Sequence, residues 1–388
     1  MRQEKFKEAK ELFKDSGAIL LNWATGFGKT LASLKLLGED DKIIVLCQEL
    51  GHIANWQREL KKHGLELDIE FHTYASMHKV EGSGYNLILD ECHWCLSDLR
   101  LENLCAMKYN KIVLLSASME DDDIDKISVC IDDLIVHTIS LQEAIDGGVL
   151  PEPEIIVLEI ELDNSIKQCL HYKKKGEGGQ IFTCTYGNYF KVLKNAKKYK
   201  NYYIVCNCTE KQKYDLLASE ADFFKKKAYY NDKLWTLYNH KKLEMKRFIS
   251  ERKTPHAEEV MSKLNSRHIV FASSIFQAEQ LSDECIHSKN HEKVNEQIID
   301  DFNKYKTNKL VTVQKLRESA NLVDIEEGLI VQIDNKLRSP IQMVGRILRG
   351  STPVVYILCV VNTTDDAYVR THLKNLNHVR KSITTSFP

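Results

Sequence analysis

Ala24-Thr25-Gly26-Phe27-Gly28-Lys29-Thr30 is the stretch on which the reading of this chain turns. The apolar run Gly17-Ala18-Ile19-Leu20-Leu21 precedes it and predicts a buried strand. A helical pattern from Thr30 to Leu37 follows it. Glycines in such a turn let backbone amides approach phosphate oxygens, and the helix N-terminus adds partial positive charge. Lys29 has the reach for a β- or γ-phosphate, and the Thr30 hydroxyl suits a magnesium ion. Thr25 stands where the strict phosphate-loop spacing has its first glycine.

Outward from that loop the alternation continues. Ile43–Leu46 predicts a strand and His52–Lys62 a helix. Asn86-Leu87-Ile88-Leu89 predicts a strand that runs into Asp90-Glu91-Cys92-His93. Two carboxylates at the end of an apolar strand are costly unless a cation or a reaction uses them. Asp90 suits the magnesium shell, and Glu91 suits orienting and deprotonating a water. Ile112–Leu115 is a further strand. The pattern recurs at Ile269–Ala272, Leu310–Val313, Leu329–Val331 and Val354–Val360, with helices predicted through Gln277–Leu281 and Pro340–Leu348. This describes two α/β units with parallel sheets.

The chain has 388 residues and a formal net charge of −1. Residues 1–150 carry 16 basic and 26 acidic side chains, whereas residues 171–255 carry 20 basic and 8 acidic. The latter stretch also holds 16 of the 33 aromatic residues. Lysines with interleaved aromatics suit a nucleic-acid groove. A helical insertion with an aromatic core and a solvated lysine face accounts for the same composition. The longest apolar run, Val354–Val361, is shorter than the ~18 residues a membrane span needs, and the polar N-terminus has no signal-peptide core. A cytoplasmic location is the expectation, host cytoplasm if a phage encodes the chain. Eleven irregularly spaced cysteines are expected as buried thiols rather than a disulfide framework or a zinc site.

The ordered motifs resemble those of superfamily 2 helicases and translocases. Thr25–Thr30 resembles motif I, and Asp90–His93 resembles motif II in its DECH form. Ser116-Ala117-Ser118 resembles motif III, Ile269–Phe271 with Ser273-Ser274 motif IV, and Glu318-Ser319-Ala320-Asn321 motif V. Gln342-Met343-Val344-Gly345-Arg346-Ile347-Leu348-Arg349 matches the QxxGRxxR pattern of motif VI. The resemblance covers roughly residues 1–165 and 255–370. Motif V departs from the family pattern at Ser319 and Asn321. Asn55–Leu60, Thr73–Ser76, Cys208–Tyr214, Lys253-Thr254 and Ala144–Pro151 look like regions of Snf2-type translocases and phage helicases. Trp56 and Tyr74 are open to two roles, core or nucleic-acid contact.

The resemblance implies two RecA-like P-loop domains with parallel sheets, plus a mostly helical basic insertion. The expected division is residues 1–150, a linker strand and insertion over 151–255, and a second RecA-like domain over 256–388. ATP and Mg2+ are the implied cofactors. Lys29, Glu91, Gln342, Arg346 and Arg349 are the implied catalytic set. Gln3, Thr25, Gly26, Gly28, Lys29, Thr30 and Glu318 would bind the nucleotide, with Thr30 and Asp90 on the metal. His93, Ser116 and Ser118 would couple the cleft to the track. Lys197, Lys198, Lys200, Lys225, Lys226 and Lys227 are candidate nucleic-acid contacts. The implied activity is an ATP-dependent DNA helicase or translocase, acting as a monomer. Alternatives are the motor of a restriction or recombination system, an RNA helicase, or a non-catalytic nucleic-acid clamp.

Overall fold

The computed structural model describes residues 1–38, 42–117, 119–173, 179–313, 322–333, 343–345, 347, 350 and 353–374. The chain divides into two compact units. One holds Met1–Val157 and Lys263–Ile357, and the other holds Leu158–Ser262 and Leu358–Ala367.

The first sheet contains β1 (Ala18–Trp23), β2 (Ile43–Cys47), β3 (Ile69–Thr73), β4 (Ser83–Leu89), β5 (Lys108–Ser116) and β6 (Ile135–Ile139) in the order β3-β2-β4-β5-β1-β6. All its pairings are parallel. Ile19, Leu20, Leu21, Ile43, Leu87, Ile88 and Leu114 are buried on both of its faces, as apolar runs of that length require. Parallel strands bring their C-terminal ends to one edge. The loops after β1, β4 and β5 therefore meet there, with β5 between the other two.

The three-stranded sheet of the second unit contains β8 (Lys167–Lys173), β9 (Gln180–Thr185) and β10 (Tyr202–Cys208) in the order β8-β10-β9. The six-stranded second large sheet has the order β12-β13-β11-β14-β15-β7. Its strands are β7 (Glu154–Ile160), β11 (His268–Ala272), β12 (Cys285–Ile286), β13 (Lys309–Val313), β14 (Glu327–Ile330) and β15 (Val354–Val360). The pairings of β12, β13, β11, β14 and β15 are parallel. Two parallel six-stranded sheets with flanking helices are the expected α/β fold.

Helices hold most of the insertion, and the small sheet is an addition to the expected picture. Its strand β10 alternates buried and half-buried residues, so one face packs and the other meets water. The segment expected as a linker strand is β7, an edge of the second large sheet. The helix Lys233–Lys263 runs through residue 255 and contains Pro255. Cys105 and Cys130 form a disulfide, which corrects the expectation of eleven free thiols. The other nine cysteines are free, eight of them buried.

Candidate nucleotide site

The loop after β1 turns on two glycines. Gly26 has φ +85° and Gly28 φ +104°, a backbone region where a Cβ is strained. Gly28 precedes the helix Lys29–Leu37, so the turn aims the helix N-terminus at the space above the loop. Lys29 Nζ donates to the Trp23 carbonyl at 2.9 Å, which folds the side chain back over its own loop. Trp23 is itself fixed, since its indole N–H donates to His137 Nδ1 at 2.8 Å.

Asp90 lies at the end of β4 and is held from several sides. The Trp56 indole N–H donates to Asp90 Oδ2 at 2.9 Å. The Tyr74 hydroxyl donates to the Asp90 carbonyl at 2.9 Å. His52 Nδ1 stands 3.7 Å from Asp90 Oδ2. Trp56 and Tyr74 are each 2% exposed, so both belong to the support of the carboxylate and not to a nucleic-acid surface. Burial raises the Tyr74 hydroxyl well above its ordinary value and keeps it a donor. Burial and then the Asp90 charge push the Cys47 thiol up to about 12, so it stays neutral beside the carboxylate.

Glu91 adopts φ +50°, a left-handed conformation uncommon for a residue with a side chain. Such strain persists only where the surroundings impose it, and it clusters at functional sites. Glu91 Oε2 lies 3.5 Å from His93 Nδ1, and both side chains are largely buried. Ser116 ends β5, is fully buried, and pairs in register with Asn22 of β1. Asn22 reaches the loop after β5 from both its amide atoms: Nδ2 donates to the Met119 carbonyl, and Oδ1 accepts from the Met119 N–H.

The segment between β14 and β15 contributes Gly345. A Cβ built there would stand 3.1 Å from Thr25 Cβ, tighter than ordinary van der Waals contact. The absence of a side chain is what admits this close approach. Ile347 packs on Gly328 of β14 and anchors the same segment. Thr25 and Gly345 lie in the same compact unit.

Lys29, Thr30, Asp90, Glu91, His93 and Ser116 are thus gathered at the carboxyl edge of the first sheet, where open α/β sheets bind ligands. Gln3 is exposed on the helix Arg2–Ser16, which starts near the loop because Arg2 Nη2 donates to the Gly26 carbonyl at 3.1 Å. Ser118, Glu318, Gln342, Arg346 and Arg349 lie outside the described residues. Lys197, Lys198, Lys200, Lys225, Lys226 and Lys227 are exposed in the second unit. Sequence reasoning missed Arg2 and the support from Trp56, Tyr74 and Asn22. These link positions up to 97 residues apart, and nothing local announces them.

The donors suit a magnesium ion. Thr30 and Asp90 offer hard oxygens, and Asp90 has a second carboxylate oxygen besides the one that Trp56 engages.

Residues 252–351 match the helicase conserved C-terminal domain. No curated protein sequence matches the chain. Saccharomyces cerevisiae Dbp5 bound to RNA and ADP BeF3 is similar over 98% of this chain and 88% of that one, at 11% identity and a TM-score of 0.56. The Mycobacterium smegmatis helicase Lhr bound to ssDNA and AMP-PNP is similar over 94% of this chain, at 12% identity and a TM-score of 0.54. The match spans 46% of the Lhr chain. The Pyrococcus furiosus Hef helicase domain aligns over 95% of this chain and 97% of that one, at 12% identity and a TM-score of 0.46. At such identities the likeness to Dbp5 and Lhr establishes the fold. Together with the family match it bears out the resemblance to superfamily 2 helicases. Among the described residues, no helix is long and apolar enough to cross a membrane.

Proposed function

We propose that the chain is a nucleic-acid-dependent ATPase that works as a DNA helicase or translocase. The observation that carries this reading is the approach of Gly345, from the QxxGRxxR segment, to Thr25 of the phosphate loop. That approach sets the loop after β1 beside the segment between β14 and β15, which supports reading the two as parts of one nucleotide site. ATP is the substrate that fits a loop of backbone amides, a lysine and a helix N-terminus.

Lys29 exchanges the Trp23 carbonyl for the β- and γ-phosphates. Glu91, aimed by its left-handed backbone, orients the attacking water and takes its proton. Thr30 and Asp90 would hold a magnesium ion, which supplies neutralisation of phosphate charge when bound. Gly26 and Gly28 leave the backbone amides clear for phosphate oxygens. Gln3 reads the adenine, with Arg2 fixing the start of its helix on the loop. Arg346 and Arg349 neutralise charge spreading over the transferred group, a role worth ~10³–10⁵ in rate in comparable enzymes. Glu318 completes the nucleotide contacts, and Gln342 belongs to the catalytic set and to the relay toward the track. His93, Ser116 and Ser118 relay the state of the cleft to the track. Residues 1–150 and 256–388 are the two motor domains, and 151–255 hold the insertion. Lys197, Lys198, Lys200, Lys225, Lys226 and Lys227 supply phosphate contacts within it.

The test is ATP turnover by Lys29→Ala. The expected loss is at least ~10²-fold, the scale of a well-placed catalytic group. Glu91→Gln is expected to bind a fluorescent ATP analogue as the parent does, yet to turn over as little as Lys29→Ala. Full turnover in either variant contradicts the reading.

A further inference from the structure

The aromatic residues of the insertion differ in exposure, and Tyr186, Phe190 and Tyr199 are exposed away from the turn that holds Tyr229 and Tyr230. Tyr189, Tyr202, Tyr214 and Phe248 are buried, and Tyr189 and Tyr202 share one apolar cluster. Phe223, Tyr229 and Tyr230 are 52%, 71% and 92% exposed. Tyr229 and Tyr230 lie in the turn between the helices Glu210–Ala228 and Lys233–Lys263, and Phe223 lies near the end of the first of these helices. No residue from Tyr229 to Glu244 is buried, although that stretch includes Trp235, Leu237, Tyr238 and Leu243. Apolar rings left in water over such a length mark a binding surface and not a core.

The tip is ordered by its own contacts. The Tyr229 and Trp235 rings stand edge to face at 5.9 Å, and Trp235 meets Tyr238 in the same way at 5.6 Å. The N–H groups of Tyr230 and Asn231 donate back to Lys227 and Ala228, closing the turn. Asn231 Oδ1 accepts from the Lys233 N–H at the start of the next helix. Further down, the Lys241–Glu220 ion pair at 2.9 Å ties one helix to the other. The Tyr189 hydroxyl donates to Glu220 at 3.0 Å and joins this brace to the core.

The charge is complementary to a polyanion. Residues 222–247 carry eight lysines and arginines against three carboxylates. Lys225, Lys226 and Lys227 are exposed on the turn that precedes Tyr229. Lys227 Nζ lies 4.5 Å from the centre of the Phe223 ring, so cation and ring form one surface.

We infer that this hairpin tip binds single-stranded nucleic acid, with unstacked bases on Tyr229, Tyr230 and Phe223 and phosphates on Lys225, Lys226 and Lys227. The inference rests on the reading of the chain as a nucleic-acid motor and specifies where a separated strand is held. The rings are the deciding feature. A duplex hides its base faces, so lysines alone suffice for it, whereas a single strand offers a face to each ring.

The test compares full-length protein with three variants by fluorescence anisotropy. The probes are a labelled 20-nucleotide oligo(dT) and a labelled 20-base-pair duplex, each titrated over a range of salt. The doubly substituted Tyr229→Ala/Tyr230→Ala protein is expected to lose at least ~10-fold in affinity for oligo(dT), on the scale of one or two stacked bases. Its duplex affinity is expected to stay within twofold. Tyr229→Phe/Tyr230→Phe keeps the ring faces and is expected to bind oligo(dT) like the parent. Lys225→Gln/Lys226→Gln/Lys227→Gln is expected to weaken both probes and to make the salt slope shallower by about two, at ~0.7 per phosphate contact on a single strand. Full oligo(dT) affinity in the alanine protein overturns the inference. So does an equal loss on both probes, or a change in self-association with no change in strand affinity. If the parent protein binds neither probe and neither stimulates its ATP turnover, the motor reading fails first and takes the inference with it.

Discussion

At the carboxyl edge of the first sheet, reactive side chains are held by buried neighbours; at the hairpin tip of the insertion, rings and lysines stand in water. Asp90 accepts from Trp56, its carbonyl accepts from Tyr74, and Lys29 is folded onto the Trp23 carbonyl. Tyr230 is 92% exposed, and its N–H donates to the Lys227 carbonyl. The two regions meet different demands. Cleaving a phosphoanhydride bond needs groups fixed to a fraction of an ångström. Holding a strand of any sequence needs only a ring face and a cation, and a mobile polymer adapts to them.

Exposure ends at the foot of the insertion, and the largest effect is expected there. Lys253 and Asp365 are fully buried, and Lys253 Nζ lies 2.7 Å from both Asp365 Oδ2 and the Leu358 carbonyl. Asp365 Oδ2 also accepts from the Val360 N–H at 2.8 Å. Lys253→Met leaves a buried carboxylate without its cation. The expected cost is ~3–5 kcal/mol in urea denaturation, and replacing both partners by apolar residues is expected to recover much of it. A cost below ~1 kcal/mol for Lys253→Met, the range of exposed pairs, breaks the distinction between foot and tip.

A smaller effect is expected at the nucleotide site. Trp56→Phe keeps an aromatic side chain, smaller than the indole, and removes one hydrogen bond to a carboxylate, a contact worth ~1.5–3 kcal/mol. ATP turnover is expected to fall ~10–100-fold with a raised requirement for magnesium, alongside a lower thermal melt from the smaller buried ring. Unchanged kinetics in Trp56→Phe would mean that Asp90 needs no such support, and the two regions would then differ less than their geometry indicates.

Much of this fold was legible from apolar runs. Ile43–Leu46, Leu87–Leu89, Ile112–Leu115 and Val354–Val360 are strands sealed on both faces, and such strands tolerate few polar residues. The edge strands of the first sheet were not legible. β3 reads Ile-Glu-Phe-His-Thr and β6 Ile-Val-His-Thr-Ile, mixed in polarity because each is partly open to water. The small sheet was hidden for a similar reason: β8 carries Lys167, Gln168 and His171 among its apolar residues. The phosphate loop and Asp90-Glu91 announced themselves because their chemistry is local in sequence. Trp56 and Tyr74 did not, since an aromatic residue with a polar end looks the same in a core, on a track or against a carboxylate. Composition also could not sort the insertion's aromatics into core and tip; only burial separates Tyr189 from Tyr230.

The central claim is that this site hydrolyses ATP in response to a polynucleotide. The most direct measurement is steady-state ATP turnover by the full chain, alone and with single-stranded DNA, duplex DNA, forked DNA or RNA. The account predicts a low rate alone and a rate raised severalfold or more by DNA, with the stimulation weakening as salt rises. A rate that no polynucleotide changes would contradict it.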